Sequence, residues 1–135
     1  YETTEVYPEH TLLLEATLAD STNQRRMEME PVSRHLGRHL IRTGNMNSYC
    51  VFATTYLDIN VIADFRSRKT TPFYDSQDYS KSVTGMKIIP LQTSELKKIV
   101  SNRKTYKELY PLFEAAFNST LPPHEWYNRY IQTSI

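Results

Sequence analysis

Short apolar runs alternate along the chain with longer stretches of helical spacing. His10 to Leu18, HTLLLEATL, is a compact apolar run that ends in β-forming residues, and the turn-rich segment ADSTN follows it, so a buried strand is expected over 10 to 18. Residues 1 to 8, with Thr, Val and Tyr before Pro8, read as an edge strand. From about Arg26 the period changes. Met29, Val32 or Ser33, Leu36 and Leu40 form one helical stripe, and Thr43-Gly44 supplies a stop. Pro31 suits a first turn, which puts the start of the regular helix near Glu30 and Glu28 on the approach to it.

The second half repeats this order. SYCVFATTYL (48 to 57) predicts a strand, and residues 58 to 69 a helix opened by an Asp58 cap, with Val61, Ile62 and Phe65 on its inner face. The polar and aromatic stretch 70 to 85 is expected to be a surface loop. MKIIPL (86 to 91) predicts a third strand, TSELKKIV a helix with a Thr or Ser cap, and the tail two helical segments parted by Leu121-Pro122-Pro123. The order strand, helix, strand, helix, strand, helix predicts an α/β sheet flanked by helices, with the strand at 10 to 18 near its middle.

Composition narrows the class. A chain of 135 residues with 39% hydrophobic and 23% charged positions has the length and balance of one globular domain. No apolar run has the length of a membrane span, and YETTEVYPEH has neither the basic start nor the apolar centre of a signal peptide, so the expectation is a cytoplasmic protein without membrane partners. The single cysteine, Cys50, lies in an apolar run and reads as a small buried hydrophobe rather than a reactive thiol. A formal charge of +1 exerts no overall pull on nucleic acid, so any such argument rests on where the charges lie.

Glu15 is the residue that raises a chemical question. A carboxylate at the end of a buried run is expensive unless something pairs with it, and a divalent cation is one such partner. Mg²⁺ takes oxygen ligands, and a strand end followed by a helix with further acids is a way to supply them. Such an ion polarises a phosphoryl oxygen and lowers the pKa of water, the chemistry of phosphodiester hydrolysis. On a continuous helix Glu28 and His35 are seven apart and nearly in line, with His39 one turn on, displaced from the apolar stripe. Arg34, Arg38 and Arg42 form a basic ridge, preceded by Arg25 and Arg26, which suits a DNA backbone and equally suits a solvated helix face. Taken singly, Glu15 reads as an edge residue or cap and His35 as a structural hydrogen-bonding residue. Their joint order favours a site.

The stretch LLLEATL…NQRRMEMEPVSRHL also resembles the catalytic core of the AlwI-like type IIS restriction and nicking endonucleases, within the PD-(D/E)xK nuclease superfamily. The matching residues are Glu15-Ala16-Thr17, Gln24, Glu28 and Val32-Ser33-Arg34-His35. The resemblance implies a restriction-endonuclease-like core with a central mixed sheet flanked by helices. It implies Glu15 and the Ala16 carbonyl as metal ligands, Glu28 in the same acidic site with Glu30 as its alternative, and His35 beside them near a bound water or the scissile phosphate. Thr17 stands where many superfamily members carry lysine. The cofactor implied is Mg²⁺, with Mn²⁺ able to substitute.

The superfamily's first acid is an Asp on a preceding strand, and no Asp lies ahead of Asp20 here; either Glu2 or Glu5 substitutes, Glu9 lying too near the turn at Pro8, or the expected Asp precedes Tyr1, which is the favoured expectation. The expectation is accordingly that residues 1 to 135 form a partial catalytic domain lacking its N-terminal helix and first strand or strands. Partners implied are double-stranded DNA, with Arg25, Arg26, Arg34 and Arg38 as contacts, a recognition domain or subunit outside this chain, and a transient dimer for double-strand cleavage. The rival expectation is a nuclease-like module that binds DNA or a subunit without catalysis. The tyrosines, Tyr74, Tyr79, Tyr106, Tyr110, Tyr127 and Tyr130, with Trp126, suit an interface or a small core with amphipathic edges. Asn118-Ser119-Thr120 matches a glycosylation sequon and reads as a polar helix end.

Overall fold

The computed structural model describes residues 10–17 and 29–135, with Met29 and Glu30 described by backbone alone. The expected edge strand at 1 to 8 and the residues Gln24, Arg25, Arg26 and Glu28 lie outside the described residues.

Three parallel strands form the described sheet in the order β1-β2-β5, with β1 at Thr11–Thr17, β2 at Ser48–Thr54 and β5 at Lys87–Gln92. Every residue of β2 is buried, so both faces of this strand are covered, which is why SYCVFAT is free of charge. Here the expectation needs correcting. β2, not β1, is the middle strand of the described sheet, and Leu14 on β1 is 51% exposed. Register aligns Thr17 with Thr54 and Thr54 with Gln92, which brings the C-terminal ends of the strands level. Pro90 sits in β5, at the edge of the described sheet, where a residue without a donor is tolerated.

Helix α1, Met29–Thr43, runs from just before Pro31 to the expected stop. Val32, Ser33, Leu36 and Leu40 are its buried stripe, and Gly44 at φ +67° takes the left-handed turn, its N–H donating to the Leu40 carbonyl at 2.8 Å. Helix α2, Ile59–Ser67, begins at Asp58, whose Oδ1 accepts from the Asn60 N–H at 2.8 Å, and buries Val61, Ile62 and Phe65 as the spacing predicts.

Between α2 and β5 the chain departs from expectation. The stretch read as a loop holds a two-stranded antiparallel hairpin, β3 at Phe73–Asp75 and β4 at Asp78–Val83. It packs on α1 rather than extending the main sheet. Its strands bury little, so the apolar alternation that marks a strand is missing from the sequence.

Helix α3, Thr93–Ser101, starts one residue earlier than a Thr or Ser cap implies. Gln92 holds the cap position, and the buried Glu95 reaches back to accept its N–H at 3.1 Å. Helix α4, Tyr106–Asn118, is opened by a Thr105–Glu108 capping box. After Leu121-Pro122 comes α5, Pro123–Trp126, continued by a π-helical turn, Tyr127–Gln132. Trp126 donates its indole N–H to the Ala116 carbonyl at 2.8 Å, which fastens this end against α4. The core joins Leu36 and Leu40 of α1 to Phe52 of β2, Phe65 of α2, Phe113 of α4 and Ile131 of the π turn. The expected α/β architecture with helices about a sheet is what forms, its antiparallel part residing in the hairpin. No helix among the described residues is long and apolar enough to cross a membrane.

Candidate nuclease site

Glu15 lies near the C-terminal end of β1, in register with Phe52 of β2, on the strand face shared by Leu13 and Thr17. His35 lies on α1, one residue before the fully buried Leu36 and off the buried stripe. The fold brings the two together, with His35 Nδ1 2.6 Å from Glu15 Oε1. An ionised carboxylate only accepts, so Nδ1 is the donor and the ring is fixed with Nε2 directed away from the carboxylate. Both side chains keep contact with solvent, His35 at 49% and Glu15 at 31%. The pair therefore borders a groove rather than being sealed in a core.

That groove, of about 1260 Å³, is lined among the described residues by Leu13 and Glu15 of β1, by His35, Arg38, His39 and Arg42 of α1, and by Asp75, Gln77, Ser80 and Lys81 of the hairpin. Two of the three ridge arginines, Arg38 and Arg42, therefore open onto the same space as Glu15. Arg34 is half-buried and is not part of the lining. His39 continues the helical line from His35 but is committed elsewhere. Its Nε2 meets Ser48 Oγ at 3.1 Å, and Arg42 Nη2 approaches its Nδ1 at 3.5 Å. Since arginine only donates, Nδ1 accepts and Nε2 donates, and Ser48 passes the chain on to the Asn45 carbonyl at 3.0 Å. This network ties the end of α1 to the start of β2.

Ala16 follows Glu15 as an exposed position, and Thr17 is half-buried at the strand end. Glu30 falls in the first turn of α1. Among the described residues no group of three or more His, Cys, Asp or Glu side chains stands together as a ligand set. Cys50, in register with Leu13, is buried, and burial together with the nearby Glu15 charge pushes its thiol far up, which agrees with an inert core residue. The hairpin residues of the groove, Lys81 and Gln77 in particular, escape a reading of the sequence by spacing. The two brief β-forming runs around Ser76-Gln77 are the signal that marks them.

A family model of the AlwI restriction endonucleases matches residues 2–99. Among curated proteins none matches. Of solved structures, the small subunit of the heterodimeric restriction endonuclease R.BspD6I is similar, with a TM-score of 0.66 and 20% identity over 92% of this chain and 63% of that subunit. The chain thus spans less than two thirds of that subunit's length, and at this identity the likeness shows a shared restriction-endonuclease-like fold. With the family match extending over well more than half of its length, from before β1 into α3, this chain belongs to the AlwI restriction endonuclease family.

Proposed function

We propose that this chain is part of the cleavage domain of a cytoplasmic type IIS restriction or nicking endonuclease that hydrolyses DNA phosphodiester bonds with Mg²⁺, and that a recognition domain or subunit outside the chain selects the target. The observation that carries the reading is the Glu15–His35 pair, 2.6 Å apart at the strand end and facing a groove that also holds Arg38 and Arg42. The family match supports the same chemistry.

The donor set fits a hard cation better than zinc. Among the described residues it offers the Glu15 carboxylate, followed by the exposed Ala16, with Asp75 in the hairpin wall of the same groove and Cys50 buried away from solvent. Mg²⁺ is held through one or two carboxylates while keeping several waters, whereas a zinc site needs three or four Cys, His, Asp or Glu side chains together, a set not found among the described residues. Glu15 and the Ala16 carbonyl would hold the ion, with Glu28 as the further acid. Bound there, Mg²⁺ would act as a Lewis acid on the phosphoryl oxygen and lower the pKa of water. The chain's own part is to orient. Glu15 Oε1 accepts from His35 Nδ1 and fixes the ring, which leaves Nε2 to exchange a proton with water or a phosphate oxygen. Arg38 and Arg42 would bind the DNA backbone.

Calorimetric titration with Mn²⁺ and conversion of supercoiled plasmid carrying the target site, each for the intact protein and its Glu15→Ala form, test the reading. Loss of both ion binding and cleavage in the variant is expected. Equal ion affinity and equal rates in the two forms would remove Glu15 from the chemistry. Duplex binding without ion binding in the wild type would instead favour a non-catalytic module, to which the exposed Tyr74 and Tyr79 lend an interface.

A further inference from the structure

The β3–β4 hairpin has no role in the reading above, yet it shares the groove with the candidate site. It supplies little to stability. Only Phe73 and Val83 of its strands pack against the core, and Asp78 to Ser82 are all exposed. A two-stranded ribbon with so little burial is marginal unless another element holds it. What holds it is α1, against which both strands pack, most tightly at one joint. A Cβ on the buried Gly37 would overlap the Phe73 ring, so the ring lies directly on the helix backbone, two residues from His35. Glycine weakens a helix interior relative to alanine, and here it admits the hairpin.

We propose that this hairpin is a DNA-gripping wall of the groove, with Lys81 as a backbone phosphate contact complementing Arg38 and Arg42, and that the Phe73–Gly37 joint sets its distance from Glu15. The proposal rests on the nuclease reading and names a substrate contact within the same groove. The cations line the groove from two elements, Arg38 and Arg42 on α1 and Lys81 on β4. A duplex lying between them would meet a cation on each side, the hairpin's Lys81 standing in the same wall as the acids Asp75 and Asp78.

The hairpin's two acids are occupied with its turns. Asp75 Oδ1 accepts the Gln77 N–H at 2.9 Å, and Asp78 Oδ1 accepts the Ser80 N–H at 3.1 Å and the Ser80 hydroxyl at 2.5 Å. Lys81 Nζ stands 3.9 Å from Asp78 Oδ2, with side chains 59% and 46% exposed. An exposed pair of this kind is weak and yields readily to a phosphate.

The test measures affinity of the intact protein for a target-site duplex oligonucleotide as a function of KCl, in EDTA so that nothing is cleaved. Lys81→Gln is expected to bind several-fold more weakly at low salt and to lower the salt slope by about one, the share of a single phosphate contact. Asp78→Asn, which keeps the turn acceptor and releases Lys81, is expected to bind more tightly. Gly37→Val forces the Phe73 ring off the helix and is expected to weaken binding while far-ultraviolet circular dichroism stays native. Wild-type affinity and slope in Lys81→Gln would overturn the proposal; if metal-dependent cleavage still disappears in Glu15→Gln, the nuclease reading stands without it. A wild-type protein that binds no duplex overturns both.

Discussion

The Glu15–His35 pair makes opposite demands on stability and on rate, depending on whether it exists for the fold or for the chemistry. At 2.6 Å it has the length of a charge-assisted hydrogen bond, which in a dry interior contributes about 1.5 to 3 kcal/mol. The side chains are 49% and 31% exposed, however, so solvent screening brings the expected coupling down to about 0 to 1 kcal/mol. Loss of an oriented proton-transfer group costs about 10²- to 10⁴-fold in rate, equivalent to about 3 to 5.5 kcal/mol of barrier. A double-mutant cycle of Glu15→Ala, His35→Ala and both together separates the two. Urea unfolding followed by fluorescence of the sole, buried tryptophan, Trp126, gives the stability coupling, and single-turnover plasmid nicking in Mg²⁺ gives the rates. We expect stability coupling below about 1 kcal/mol. Each single variant should lose most of the activity and the double little more, because groups that act as a unit are not additive. Stability coupling of about 3 kcal/mol with undiminished nicking per folded molecule would refute the assignment, since it would describe a structural pair.

Further expectations concern the frame that carries the pair. Ser33 is 2% exposed and its hydroxyl has no hydrogen-bond partner among the described residues, so Ser33→Ala should raise stability by about 1 kcal/mol in urea unfolding, through relief of an unmet polar group and better helix propensity; a loss of that size would mean that the hydroxyl is satisfied. Trp126→Phe removes the indole bond to the Ala116 carbonyl in a buried setting and should cost about 1 to 3 kcal/mol, read from the thermal midpoint by circular dichroism. Acid should weaken the fold in two stages. Burial, then the Lys87 charge, lower His10 from its usual 6.5 against an opposing pull from Glu114, so the unfolded chain takes up this proton first and stability falls as pH drops below about 6.5. At Glu114 burial acts upward but is outweighed by hydrogen bonds from Tyr49 and Lys87 and by the charges of Lys87 and His10, so its contribution is full above about 4.5 and is lost below. Urea midpoints from pH 8 to pH 3.5 should show both stages, His10→Gln removing the upper and Glu114→Gln the lower; a flat profile between pH 7 and pH 5 would count against His10.

What was legible in the sequence is what local periodicity specifies. The α1 stripe of Val32, Leu36 and Leu40, its Gly44 stop and the Asp58 cap all follow from rules confined to a few neighbouring residues, and the structure contains each of them. Glu15 and His35 were legible for a related reason. Each breaks the pattern of its own element, a carboxylate closing an apolar strand and a histidine beside an apolar stripe, and two such breaks on consecutive elements meet. Sheet order was not legible, because three adjacent leucines mark β1 as apolar without saying how many neighbours cover it. The charge-free SYCVFAT was the better sign of the middle strand. The hairpin was hidden because its packing depends on a partner distant in sequence. Gly37 looks from its neighbours like a weak point in a helix, and the ring that explains it, Phe73, belongs to a segment whose polar character conceals a strand. A helix that accepts a glycine at a buried position beside a candidate catalytic histidine is holding space for something, and in this chain the something is one side of the groove itself.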